Sequence, residues 1–225
     1  MGNDIFYGGA GADRSNGGDG NDLLWGDLDD DGLEGGLGDD TLLGGPGNDF
    51  LNEQGRAGGD NFFFGGQGND LLRGGLGNEL LSGDVGTDDL EGDGGNDTLR
   101  GGTGFDLLTG GSKAVLFTGD EVEDVFAVEI NNEFDLVADF EDGIDRLGLP
   151  AGLTVEDLSI APLGNDATLL NLPPEVEWSA ESTDIAIRLA ATDQVLTILN
   201  ANVGGDPTVL VLDAAQITAE DFVLL

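Results

Sequence analysis

"GGDGNDLLW" (residues 17–25) decides the fold, because it returns as "GGLGDDTLL" (35–43), "GGPGNDFLN" (44–52) and "GGQGNDLLR" (65–73). The unit is nine residues long, G-G-x-G-x-D-x-U-x, where U is a large apolar residue. Position six carries Asp4, Asp13, Asp22, Asp31, Asp40, Asp49, Asp70, Asp88, Asp97 and Asp106. Position eight carries Phe6, Leu24, Leu33, Leu42, Leu51, Leu72, Leu81, Leu90, Leu99 and Leu108, with Ser15 the exception. Glycine readily takes positive φ, so the first six positions read as a tight turn that presents its carbonyls. The last three read as a very short strand whose middle residue points inward. Two units make one coil of a parallel roll, and turns on one side then lie about 4.8 Å apart.

Composition narrows the chemistry. The 225 residues include 46 acidic and 7 basic side chains, giving a formal charge of -39, which repels nucleic acid and anionic membranes. Without cysteine or histidine there is no thiolate or imidazole metal site, no Ser-His or Cys-His nucleophile and no disulfide framework. Oxygen ligands remain, and these suit hard cations. No apolar run is long enough to cross a bilayer. Acidity with abundant glycine usually signals disorder, yet the apolar residues recur at fixed intervals that a disordered chain does not need.

The repeat resembles the calcium-binding nonapeptide of the RTX (repeats-in-toxin) family, a match spread over roughly the first half of the chain. The resemblance implies an all-β fold: a right-handed parallel β-roll, or calcium-stacked solenoid, over residues 1–126, followed by a β-rich C-terminal capping domain over 127–225. It also implies Ca2+ ions between successive same-side turns, held by position-six side chains and loop carbonyls. One ladder of ligands would be Asp13, Asp31, Asp49, Asp70, Asp88 and Asp106; the other Asp4, Asp22, Asp40, Asn61, Glu79 and Asp97. Without calcium the roll is expected to be unfolded, since stacked carboxylates about 5 Å apart repel by about 3 kcal/mol at an effective dielectric near 20.

Two features disturb the pattern. "EQGRAGGDNFFF" (53–64) contains a three-residue insertion, and placing Asn61 and Phe63 at positions six and eight restores the register. Asn61 and Glu79 then sit mid-ladder, where weaker calcium or harmless drift are both open. Past Gly111 the count continues through Val115 and Phe117, then Asp124 and Phe126, which would put Asp124 one step beyond Asp106. "FDLVADFEDGIDRLGL" (134–149) resembles the segment closing many RTX rolls; Asp139, Asp142 and Asp145 read as solvated turn residues, with a further ion the alternative. Short strands follow at "DIAIRLA" (184–190), "QVLTILN" (194–200) and "TVLVLD" (208–213), with turns at Gly143, Pro173-Pro174 and Gly204-Gly205. Thr154–Asp157 and Thr218–Asp221 read as capped one-turn helices.

The ends point outside the chain. Met1–Tyr7 matches the last seven positions of a unit, the expectation for a fragment with an N-terminal partner domain. Glu220–Leu225, an acid pair followed by hydrophobics, resembles uncleaved type I secretion signals, so partnership with that machinery and an extracellular or cell-surface location are expected. The favoured reading is a secreted calcium-binding structural module without catalysis, supporting a parent protein. The alternative is an adhesive or self-associating surface layer. Position three is too mixed for ice binding: Leu28, Leu37, Leu76 and Val85 stand among polar and small residues.

Overall fold

The computed structural model describes residues 2–53, 59–111, 122–130, 135–140, 144–162, 185–190, 194–199 and 219–225. Within them the chain is an all-β parallel solenoid built from two sheets. The first sheet stacks Ile5–Ala10, Leu23–Leu28, Thr41–Pro46, Phe62–Gln67, Leu80–Val85, Thr98–Thr103, Val125–Ala127, Arg146–Leu149 and Phe222–Leu224. The second stacks Arg14–Asp19, Gly32–Leu37, Phe50–Asn52, Leu71–Gly75, Asp89–Asp93, Leu107–Thr109 and Asp135–Val137. That sheet ends in Gln194–Leu199, Ile185–Leu189 and Leu158–Pro162, which are joined to one another antiparallel. Many strands are six residues rather than three, because positions one to three of the following unit continue the extended backbone.

Pairing follows the 18-residue coil: Phe6 lies beside Leu24, and Ser15 beside Leu33. The insertion is absorbed where the sequence places it. Leu42 pairs with Phe63 and Leu51 with Leu72, each a 21-residue step, and Phe63 is fully buried. Position eight forms the interior: Leu24, Leu33, Leu42, Leu51, Leu72, Leu81, Leu90, Leu99 and Leu108 are all buried, whereas Phe6 and Ser15 in the terminal coil are only partly covered.

Backbone geometry explains the glycines. Most glycines at positions two and four carry positive φ, as at Gly36 (116°) and Gly38 (128°). Asp27, Asp29, Asp84 and Asp93 stand at these positions in place of glycine, and aspartate tolerates φ near 75° better than most residues. Position one needs glycine for space, as described below.

The end of the roll corrects one expectation. Thr98 pairs with Val125, a 27-residue step, so Asp124 stacks on Asp97 in the second ladder rather than extending the first beyond Asp106. Residues 112–121, in which no position-two or position-four glycine enforces the turn, add one unit's length between strands and shift the count. Val115 and Phe117 lie outside the described residues. The first ladder continues instead to Asp135, set opposite Asp106 by the pairing of Leu107 with Leu136. Both sheets run on past residue 126 without a break. Thr154 forms the expected capping box, its hydroxyl and N–H both donating to Asp157 at 2.9 Å, and a second one-turn helix spans Ala219–Asp221. "TVLVLD" and the turns at Gly143, Pro173-Pro174 and Gly204-Gly205 lie outside the described residues, as does Thr218.

Candidate metal ladders

Each position-six aspartate from Asp22 to Asp88 is fixed by one oxygen and left open at the other. Its Oδ1 accepts the backbone N–H of the position-six residue one coil earlier: Asp22 from Asp4 (2.6 Å), Asp31 from Asp13, Asp40 from Asp22, and Asp49 from Asp31 (2.7 Å each). The series continues with Asp70 from Asp49, Asp88 from Asp70, Asp97 from Glu79, Asp106 from Asp88 and Asp124 from Asp97. The structure therefore brings the sequence-predicted residues into two stacked rows: Asp13 to Asp106, and Asp4 to Asp124 through Asn61 and Glu79.

The second oxygen is the informative one. Oδ2 of Asp13, Asp22, Asp31, Asp40, Asp49, Asp70 and Asp88 is buried and meets no hydrogen-bond donor. A buried, unpaired carboxylate oxygen is costly, and seven at one register position ask for a common partner. They face position-one glycines. A Cβ added at Gly26 would strike Asp31 Oδ2 and the Gly44 carbonyl; one at Gly44 would strike Asp49 Oδ2 and the Gly65 carbonyl; one at Gly83 would strike Asp88 Oδ2 and the Gly101 carbonyl. Glycine at position one thus clears a cradle lined by a bare carboxylate oxygen and a carbonyl of the next coil. Among the described residues no three acidic side chains converge on one point, so further oxygens in a cradle have to come from the backbone. An all-oxygen set with one or two negative charges fits a hard divalent cation of calcium's type.

Electrostatics agree. Burial first, then the stacked neighbours, pushes Asp40, Asp49 and Asp70 up to about 6 and Asp88 to about 7. Asp97 and Glu79 are likewise raised, chiefly by burial. Burial and stacking thus favour the neutral form of these carboxylates in a metal-free row, and a cation would favour the anion.

At Asn61 and Glu79 the pattern changes. Asn61 Oδ1 accepts the Asp40 N–H at 2.8 Å, as an aspartate would, but its amide nitrogen donates to Glu53 Oε2 at 3.1 Å. Glu79's extra methylene folds the carboxylate back toward its own loop, where Gly75 N–H donates to Oε2 at 3.3 Å. Burial, Asp40 and Glu79 together push Glu53 up to about 8.

Beyond the repeats, Asp139 and Asp145 are buried rather than solvated, which overturns that expectation. Asp139 accepts Gly110 N–H (2.9 Å) and Gly111 N–H (2.8 Å), and Asp145 Oδ1 accepts Asp124 N–H (3.0 Å), so Asp145 occupies the next rung of the second ladder. Asp142 lies outside the described residues.

Sequence reasoning missed three things. Asp135 was hidden by the mistaken register, and Glu53 belongs to no repeat position. An outer ladder at position five was legible in principle, since Asn or Asp recurs there. Asn48 N–H donates to Asp30, Asn69 N–H to Asn48, Asn78 N–H to Asp60, Thr87 N–H to Asn69 and Asn96 N–H to Asn78. The exposed position-three residues form no continuous strip: in the first sheet Pro46 and Gln67 separate Leu28 from Val85.

A two-sheet parallel solenoid with carboxylate-and-carbonyl cradles along its turns defines a calcium-ladder repeat protein. Residues 2–24, 16–51, 57–90 and 91–112 match the RTX calcium-binding nonapeptide repeat in four copies, so a little under half of the chain consists of repeats of this kind. Ca2+ is therefore its ion. No curated protein matches the chain. Among the described residues no helix is long and apolar enough to cross a membrane.

Proposed function

We propose that this chain is a secreted calcium-binding structural module whose roll folds as Ca2+ fills the two ladders outside the cell, aiding export and stability of a parent protein. The observation that carries this reading is the row of buried, donorless Oδ2 atoms facing position-one glycines. The ligands are Asp4, Asp13, Asp22, Asp31, Asp40, Asp49, Asp70, Asp88, Asp97, Asp106 and Asp124, with Glu79 at one irregular rung, each set completed by loop carbonyls; at the other irregular rung Asn61 holds its place in the row through its bonds to Asp40 and Glu53. When bound, the cation supplies positive charge that turns repulsion between stacked carboxylates into cohesion. The chain's own part is to aim one oxygen of each carboxylate at the cradle while the other is tied to a backbone N–H.

RTX repeat proteins are typically secreted, and weak calcium sites suit a compartment where the ion is plentiful, since extracellular modules work at about 10⁻⁴ to 10⁻³ M. Folding is then postponed until export is complete, with Glu220–Leu225 read by the type I machinery before Phe222–Leu224 docks on Arg146–Leu149. Residues 127–225 act as the cap that covers the solenoid's end. No residue set stands apart from the ladders to suggest catalysis among the described residues. The test is far-UV circular dichroism of the full chain in chelator and after calcium is restored. The β signal is expected to vanish and return; a folded spectrum unchanged by chelation overturns the reading.

A further inference from the structure

Asn61 removes one negative charge from the second ladder, and the structure brings a replacement from outside the register. Glu53 is the first residue of the insertion, yet its side chain is 1% exposed, and its Oε1 is buried with no hydrogen-bond donor. Around Gly17, Gly26, Gly44, Gly65 and Gly83 the bare aspartate oxygen is faced by a position-one glycine carbonyl of the next coil. Around Gly35 the nearest oxygens are instead Asp40 Oδ2 and Glu53 Oε2. Position one of that next coil is Arg56 in the sequence, not glycine. A second carboxylate oxygen therefore stands beside the bare oxygen of Asp40 in this cradle, and the charge lost at Asn61 reappears a few ångströms away.

Asn61 fixes this arrangement. Its Oδ1 accepts the Asp40 N–H and its Nδ2 donates to Glu53 Oε2. The flipped amide would set donor against donor at Asp40 and acceptor against acceptor at Glu53, so the orientation is determined by both partners.

We propose that Glu53 is a calcium ligand recruited from the insertion, sharing with Asp40 a cation site between the coils of Asp40 and Asn61, with Asn61 as the residue that positions it. The assignment rests on the ladder reading above for the identity of the ion and adds to it a ligand outside the nonapeptide pattern. The second ladder is then continuous in charge across the insertion, rather than weakened there.

The experiment is equilibrium dialysis of the full chain against Ca2+ at pH 7.5, counting ions per chain, with circular dichroism to report folding. Glu53→Gln is expected to bind one ion fewer than the wild type while its calcium-saturated spectrum is kept. An unchanged count and half-saturation concentration would overturn the assignment, leaving Glu53 as a protonated plug. If Glu53→Gln does not fold even in excess calcium, Glu53→Gln/Asn61→Asp decides: folding with the wild-type ion count supports a charge requirement at this rung, and failure to recover overturns it. A wild type that binds no calcium would remove the ladder reading itself, whereas a wild type with several ions matched by Glu53→Gln removes this assignment alone.

Discussion

From Leu24 to Leu108 the interior of the repeats is one large apolar side chain per unit, whereas beyond residue 125 it widens to include Phe126, Val128, Val137, Phe140, Leu147 and Leu149. Buried acids differ in the same way. In the repeats Asp22, Asp31, Asp40, Asp49, Asp70 and Asp88 each have one oxygen bonded and one bare; in the closing segment both Asp139 oxygens accept amide protons, from Gly110 and Gly111. One region is short of apolar area and buries a row of unpaired carboxylate oxygens, while the other has a broader core and satisfies Asp139 with backbone donors, a bare oxygen persisting there at Asp135, which stacks on the first ladder. A fold can carry so thin a core only if something else supplies cohesion, and in the repeats the unpaired oxygens mark where it comes from.

Removing calcium is the largest perturbation of this contrast. Hydrogen exchange in chelator is expected to erase protection at the strand amides of Leu33, Leu72 and Leu99 together, because every cradle loses its partner at once. Protection that survives there would mean the leucine row suffices alone, and the contrast would be broken. Acid should partly replace the metal. Asp49 and Asp70 (about 6) and Asp88 (about 7) sit above the ordinary aspartate value near 3.9, so the folded row binds more protons than the unfolded chain. Their contribution to stability is fully present below about 4 and is lost as pH rises through 6 to 7. Chelated protein should therefore gain β signal between pH 8 and 5, while the calcium needed for folding rises over the same interval because ligands must be ionised. A metal-free spectrum indifferent to pH would show that carboxylate repulsion is not what the cation cancels.

Within the calcium-loaded roll, Leu72→Ala is expected to cost about 2 to 5 kcal/mol, as for other buried leucines, measured by denaturant unfolding at saturating calcium. The row has no second layer to collapse into the gap, so the upper part of that range is expected. Asp70→Asn should cost less, on the order of 2 kcal/mol for a lost interaction with a charged group, because Oδ1 and its bond from Asp49 N–H survive. Its signature is specific: the calcium midpoint moves to higher concentration while the saturated spectrum stays. If Asp70→Asn left the midpoint where it was, the inner row would be structural without being a metal row.

Much of this was written in the period. Nine residues with glycines at one, two and four, aspartate at six and leucine at eight leave few ways to fold, and the coil length, the inward row, both ladders and even the repair of the insertion at Asn61 and Phe63 followed. The register failed where its physical enforcer was missing. No position-two or position-four glycine lies between 112 and 121, so nothing in the sequence holds the nine-residue step, and Asp124 was assigned to the wrong row. Glu53 was illegible for a related reason: an insertion has no register position, and only the packing of the chain reveals which cradle its carboxylate enters. Asp139 and Asp145 were misread because acids near a glycine look like turn residues until the backbone N–H groups they serve are in place.

Position five offers the smallest and sharpest comparison, since it lies next to position six yet faces outward. Asn69 Oδ1 accepts Thr87 N–H at 3.0 Å, and Asn69 N–H in turn donates to Asn48 Oδ1 at 2.8 Å, so the outer ladder has the same rung spacing as the inner one. Its members are exposed, and the two bonds made at Asn69 are neutral. Asn69→Ala therefore leaves Thr87 N–H to water rather than stranding it, and the expected cost is about 0.5 to 1 kcal/mol in calcium-saturated unfolding. Because no bare oxygen is lost, the number of bound ions should stay the same and the calcium midpoint should move only by that small folding term. Set against Asp70→Asn, one residue along the chain, the pair separates the two kinds of ladder. Should Asn69→Ala shift the midpoint as far as Asp70→Asn, the outer row would share in holding the cation, and the division between a metal-binding inner face and a merely hydrogen-bonded outer face would have to be redrawn.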